Sequence, residues 1–211
     1  MSKERRPLMM HPEFNEELSG PRVLLRQTRP DPGTAEVMFR AIDTSRQHLR
    51  PWCPWERTTC RIEDSMKYLR EKEEATASGK LVEYGIYVRE SGGYIGNISL
   101  FNLNAERRSG EIGYWLTASA TGNGYMHEAL RVLEKESFLT LGLNRIQITC
   151  DVHNTASAEV IRKCGYTFEG TLREDRFDPY ENAMRNTFVF SKLRAEFDRE
   201  QNPAPSGQKN K

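Results

Sequence analysis

The apolar positions of this chain change period several times, and each change marks an element. Residues 22–28 alternate as a strand does, and Asp31-Pro32 then opens a helix carrying Met38 and Ile42, with Asp31 placed to cap and Pro32 suited to the first turn. Ile62, Met66 and Leu69 recur at helical spacing and predict a second helix ending near Gly79. Strands are expected at 81–89 and 93–103, joined by a Ser91-Gly92-Gly93 hairpin turn, with another at 106–117. Met126, Leu130, Leu133 and Leu141 return to helical spacing and stop at Gly142. Residues 145–151 alternate, with Ile146, Ile148 and Cys150 on one face. Ala158, Val160, Ile161 and Cys164 mark a helix that ends at Gly165, and strands near 166–175 and 184–193 close the series. An antiparallel meander followed by strand-helix-strand-helix-strand predicts one α/β domain over 21–197. Its core would be a mixed twisted sheet of about seven strands with helices on both faces. Residues 1–20 read as a flexible N-terminal segment and 198–211 as a disordered tail.

Composition narrows the function classes. The 211 residues suit one domain with a sizeable core. Charged residues make up 29% of the chain yet balance at net +1, which leaves no broad nucleic-acid footprint. No apolar run reaches the roughly 18 residues of a membrane span, and no signal peptide is visible. Cys53, Cys60, Cys150 and Cys164 lack metal-ligand spacing and are too scattered for a disulfide framework. Reduced thiols in a cytoplasmic protein, with no metal, are the expectation.

The candidate chemistry sits where strands meet helices. Tyr114-Trp115-Leu116 runs into Gly122-Asn123-Gly124-Tyr125-Met126, a glycine turn opening a helix. Free N–H groups at a helix start carry partial positive charge, and glycines let a diphosphate approach the main chain closely. No Gly-Lys-Ser/Thr follows and the third glycine of a dinucleotide fingerprint is missing, so neither nucleotide loop applies. An ordinary strand-to-helix turn is the alternative. The 145–151 strand leads to Asn154, placed to cap the next helix, with Ser157 in its first turn.

Four stretches, Gly110-Glu111-Ile112-Gly113-Tyr114-Trp115-Leu116, Gly122-x-Gly124-Tyr125-x-x-Glu128-Ala129, Asn154-x-x-Ser157 and Lys163-Cys164-Gly165-Tyr166-x-Phe168, occur in the order and spacing of one family. The chain resembles the GNAT acetyltransferase superfamily, and within it the RimJ/RimL-like ribosomal-protein N-acetyltransferase branch. Weaker matches (His48-Leu49-x-Pro51-Trp52-x-x-Trp55, Ile95-Gly96-Asn97-Ile98, Glu169-Gly170-Thr171-Leu172-Arg173) extend the resemblance over most of 20–194. Ser119, Thr121 and Asn186 depart from the family pattern. The resemblance implies acetyl-CoA as cosubstrate, a sheet that splits between the 106–117 and 145–151 strands, and direct transfer to an amine without an acyl-enzyme.

On that reading, Trp115, Leu116 and Thr117 offer strand backbone to the pantetheine amides, and a backbone N–H near Trp115 or Leu116 meets the oxyanion. Gly122, Asn123, Gly124, Tyr125 and Met126 hold the diphosphate, and Asn154 fixes the cofactor arm or the cap. Ser157 stabilises or relays a proton to the leaving thiolate. Glu111 is the first candidate for the base, because it shares a strand face with Gly113 and Trp115 and could look into the acceptor cleft. Glu56 is the second, and Trp52 and Trp55 with it could wall the acceptor site. The expected activity is N-acetylation of a primary amine, favouring a protein N-terminal α-amine, whose reference pKa near ~7.7–8.0 leaves a neutral fraction at pH 7. Acetylation of a small-molecule amine (an aminoacyl nucleotide, an antibiotic or a polyamine) and a non-catalytic CoA-binding sensor or scaffold stay open, as does a homodimer.

Overall fold

Hydrogen bonding follows the apolar periods through most of the chain. The computed structural model describes residues 13–202. In chain order the elements are β1 (Glu17–Ser19), β2 (Val23–Gln27), α1 (Pro32–Asp43), α2 (Arg46–Leu49), α3 (Ile62–Ala77), β3 (Val82–Val88), β4 (Tyr94–Asn104) and β5 (Ser109–Leu116). They continue with α4 (Tyr125–Lys135), β6 (Arg145–Asp151), α5 (Thr155–Lys163), β7 (Thr167–Asp178), β8 (Ala183–Leu193) and α6 (Arg194–Gln201). Asp31 caps α1 by accepting from the Thr34 N–H at 3.0 Å, as its position ahead of Pro32 predicts. Asn154 caps α5 in the same way, accepting from the Ser157 N–H at 3.1 Å.

The strands form one mixed sheet in the order β1-β2-β3-β4-β5-β6-β8-β7. There are eight strands where about seven were expected. The extra one, β1, falls inside the segment expected to be flexible, and its Leu18 pairs with Leu25 and packs on the core. Three residues are too few to show a period. At the other end α6 runs into the expected tail, anchored by buried Phe197, whose ring lies 5.0 Å from that of Phe138. The rest of both expected flexible segments, 1–12 and 203–211, lies outside the described residues.

Alternation along β5 assigns the two faces. Ile112 and Leu116 join the larger core with residues of α4 and α5, including Met126, Leu130 and Ile161. Trp115 packs on the opposite side with Met38, Ile42, Leu49 and Leu69, from the α1–α3 layer. Helices therefore cover both faces, as the element order predicts. No described helix is long and apolar enough to cross a membrane.

One local feature shapes the site. Strand β5 pairs in parallel with β6 only over Ser109–Glu111 against Arg145–Gln147, whereas β6 stays paired with β8 up to Asp151. A wedge opens between the upper halves of β5 and β6. On its other side β5 is held close to β4 at Gly96, which has φ +150°. A Cβ there would lie 2.2 Å from the Trp115 carbonyl oxygen, so only glycine admits this approach.

Candidate active site

Two cavities meet at the wedge. The smaller, about 90 Å³, lies between the splayed strands and is lined by Tyr114, Thr149, Cys150, Asn154 and Ser157, among others. The larger, about 510 Å³, lies under α1 and α3 and is walled by Trp55, Tyr68 and Trp115. Cys53, Gly113 and Tyr114 line both, so the two cavities adjoin along β5 at Gly113.

At the wedge, the Tyr114 and Ser157 hydroxyl oxygens are 3.0 Å apart. Burial pushes the Tyr114 hydroxyl well above its ordinary value, so it stays protonated at neutral pH and can donate. Burial also pushes the thiols up, Cys53 to about 12 and Cys150 to about 11. Both are neutral at pH 7, which disfavours a cysteine nucleophile. Asp151 and Arg176 line the wedge as well, and sequence reasoning singled out neither for the site.

Main-chain direction divides the residues at the end of β5. The Thr117 N–H donates to the Ile95 carbonyl at 2.8 Å, and the Trp115 carbonyl faces Gly96, so both point toward β4. Strand alternation then turns the main chain of Tyr114 and Leu116 toward the wedge. Of the three residues expected to offer backbone to the cofactor, Leu116 turns its main chain to the wedge, whereas Trp115 and Thr117 turn theirs to β4.

Beyond the wedge, the turn at Thr121–Gly124 is exposed and Gly122 and Gly124 adopt φ +76° and +78°. The N-terminus of α4 has no side-chain cap, in contrast to α1 and α5. Its first N–H groups, at Tyr125 and Met126, have no intrahelical acceptor and face this open turn. Asn123 turns its amide inward, donating to the Thr121 carbonyl at 3.0 Å. Arg22, not anticipated from sequence, crosses the turn: it donates to the Asn123 carbonyl at 3.1 Å and pairs with Glu128 at 2.9 Å. A cation beside free helix N–H groups suits an anion such as a diphosphate.

The acceptor-side residues divide. Trp55 and Trp115 wall the larger cavity, with ring centroids 5.7 Å apart, whereas Trp52 lines the wedge. Glu56 does not line either cavity. It is buried and accepts from Arg46 at 3.2 Å, from Arg50 at 3.4 Å and from the Tyr180 hydroxyl. Burial alone would raise its carboxyl, but Tyr180, Arg46 and Arg50 outweigh that and hold it below the usual carboxylate range. Its ion pairs tie the Trp55 loop to α2, and the Tyr180 hydrogen bond ties it to the turn between β7 and β8.

Glu111 is on the expected face of β5 but not on a cavity wall. It pairs with Phe101 one row below Gly113, and the Phe101 ring lies over Gly113, 3.0 Å from where a Cβ would stand. Its carboxylate accepts instead from Thr149 at 3.1 Å and Asn102 at 3.2 Å. Glu111 therefore reaches the wedge only through Thr149.

A different carboxylate lines the larger cavity. Glu83 of β3 is only 4% exposed and accepts from the Tyr68 hydroxyl at 2.5 Å and from Asn97 Nδ2 at 2.8 Å. Burial pushes its carboxyl up to about 7. The signal was present in the sequence, a lone acid within Leu81-Val82-Glu83-Tyr84-Gly85-Ile86, but strand alternation alone gives such a residue no partner.

Residues 22–167, more than half of the chain, match the model of the acetyltransferase (GNAT) domain. The chain belongs to the GNAT acetyltransferase family. The GNAT chain is 36% identical to YdaF of Bacillus subtilis (strain 168) over 102 residues, 48% of its own length and 54% of the relative's. It is 34% identical over 90 residues to the ribosomal-protein-serine acetyltransferase of Escherichia coli (strain K12), covering 42% and 50%. It thus spans about half the length of these curated relatives. Among solved structures, RimJ of Mycobacterium smegmatis, in complex with CoA-disulfide, superposes with a TM-score of 0.80 at 24% identity, covering 92% of this chain and 93% of that one. At that identity the likeness establishes a shared fold. Among the described residues no group of His, Cys, Asp and Glu could hold a metal ion.

Proposed function

We propose that this GNAT domain transfers the acetyl group of acetyl-CoA directly to a primary amine, with a protein N-terminal α-amine as the acceptor. The observation that carries the reading is the wedge between β5 and β6, which adjoins an aromatic cavity and lies on the strand that leads through the glycine turn to the uncapped N-terminus of α4. The free N–H groups of α4 would hold the diphosphate, and the slot would take the pantetheine arm. Tyr114 and Leu116 N–H groups facing the wedge would meet the oxyanion as it forms. The Tyr114–Ser157 hydroxyl pair would supply the proton that the departing thiolate takes up. Buried, neutral Cys53 and Cys150 favour direct transfer over an acyl-enzyme.

The acceptor assignment is drawn from the names of relatives and from the cavity. The Escherichia coli relative is named for a serine of a ribosomal protein, and a cavity of about 510 Å³ takes one or two residues of a chain end. The test is calorimetry with acetyl-CoA followed by thiol-release assays on peptides with free N-termini. Binding and a one-acetyl mass gain on the peptide support the reading. No affinity for acetyl-CoA would sink it at the cofactor step. Binding without turnover of peptides, polyamines or aminoacyl nucleotides would make the chain a CoA-binding sensor. Turnover of small amines alone would move the acceptor to that class.

A further inference from the structure

We propose that Glu83 binds the ammonium group of the acceptor and takes its proton before attack, which makes it the base on the acceptor side of the cavity. This rests on the acetyltransferase reading above and deepens it.

Sheet register carries the argument. Glu83 pairs with Ser99 on β4, and Ser99 pairs with Gly113 on β5. Cross-strand partners share a face, so Glu83, Ser99 and Gly113 form one row that ends where the wedge opens. Two strand spacings separate the first from the last, about 10 Å. The side chains along the row shrink to a hydroxymethyl and then to nothing. No large side chain of the row itself stands between the carboxylate and the wedge, although the edge of the Phe101 ring lies beside Gly113, and Trp55, Tyr68 and Trp115 wall the trough. An amine held by Glu83 at one end could swing its nitrogen toward a thioester at the other.

The electrostatics of Glu83 fit this use. A buried carboxylate ordinarily has a cation beside it. Glu83 accepts from two neutral donors, Tyr68 and Asn97, and forms no ion pair among the described residues; the Lys72 ammonium lowers its carboxyl from a distance but does not bond it. An acceptor ammonium would supply a directly bonded positive charge. Asn97 is itself fixed by the Tyr94 hydroxyl, which donates to its Oδ1. The other charged groups facing the cavity come from α3: Asp64, Lys67, Glu71 and Lys72. Asp64 is occupied, accepting from the Cys60 and Arg61 N–H groups at 2.9 and 3.1 Å. Glu71 is exposed, and Lys72 lies over the Tyr68 ring at 5.0 Å. That leaves Glu83 as the buried acid of this cavity, and burial sets it near the pH at which a base works best.

The step balances. Glu83 carboxylate takes one proton from the ammonium and becomes a carboxylic acid. The neutral amine attacks the acetyl carbonyl, the C–N bond forms and the C–S bond breaks. The proton lost by the attacking nitrogen ends on the CoA thiolate, and Glu83 returns its own to solvent.

The experiment uses the full chain, acetyl-CoA and two peptides of one sequence, the first with an ordinary N-terminal serine amine. The second carries an N-terminal aminooxyacetyl group, whose nitrogen is already neutral at pH 7. Glu83→Gln should slow the first peptide about 100-fold and remove the rise of kcat/KM near pH 7, while changing the second peptide and acetyl-CoA affinity less than about 3-fold. Tyr68→Phe removes a donor to the carboxylate, so the same rise should move to higher pH. Equal losses on both peptides, or an unchanged pH profile in Glu83→Gln, overturn the assignment while leaving the acetyltransferase reading intact. If the wild-type chain acetylates neither peptide, both fail together.

Discussion

Tyr114 on β5 and Ser157 on α5 face each other across the wedge with their hydroxyl oxygens 3.0 Å apart. The contact joins β5 to α5, the helix that follows β6, and the loss of either hydroxyl would leave the other buried without that partner. Ser157→Ala and Tyr114→Phe should each lower kcat about 10- to 100-fold with little change in the KM for acetyl-CoA. If the two hydroxyls act as one unit, the double variant should be scarcely slower than the worse single one. Steady-state kinetics on all four proteins decides this, and additive losses would show that the hydroxyls act separately.

Gly96 is the position where one atom most disturbs the site from outside it. A Cβ would sit 2.2 Å from the Trp115 carbonyl oxygen and 2.9 Å from Leu116 Cα, both main-chain atoms that cannot rotate away. Gly96→Ala should therefore destabilise the fold by about 3 kcal/mol or more, seen as a lower urea midpoint. Gly122→Ala makes a useful contrast. It meets nothing within 4 Å and should cost only the strain of positive φ, about 1 kcal/mol.

Glu83 gives stability a pH dependence with a definite sign. Its carboxyl is raised from 4.5 in the unfolded chain to about 7 in the folded one, chiefly by burial. Between those values the unfolded chain has released a proton that the folded chain keeps. Stability therefore falls as pH rises from about 4.5 to about 7 and is level above that, by an amount on the order of 3 kcal/mol. Urea melts at pH 5 and pH 8 should show this slope in the wild type and lose it in Glu83→Gln.

Glu56 carries the opposite sign. Its carboxyl is held below the usual range, so the stability it contributes is present above pH 4.5 and is lost as pH falls through the folded value. Glu56→Ala should cost about 2 kcal/mol at pH 7 and loosen the Trp55 loop. The KM of the amine acceptor should then rise more than that of acetyl-CoA. Kinetics with each substrate varied in turn measures the split, and an equal change in both would refute it.

How far the sequence could be read depended on whether a feature is local. The Asp31 and Asn154 caps and the faces of β5 follow from periods and capping residues within a few positions of one another. β1 was missed because Glu17–Ser19 is too short to show a period and is held by its pairing to β2. Alternation puts Glu111 on its face of β5, but only the register against Phe101 shows that it lies one row from the residues lining the cavity. Glu56 looked available in its loop until Arg46, Arg50 and Tyr180 closed on it from three other segments.

The amino-acid order alone determined the element types, the glycine turn ahead of α4 and the family, since each is written in neighbouring residues. Tertiary structure alone decided which carboxylate meets the cavity and which main-chain groups meet the wedge. Glu83, Ser99 and Gly113 come into line only through strand pairing. The charge state of a buried acid, moreover, depends on water removed by helices distant in sequence, and no local pattern encodes that.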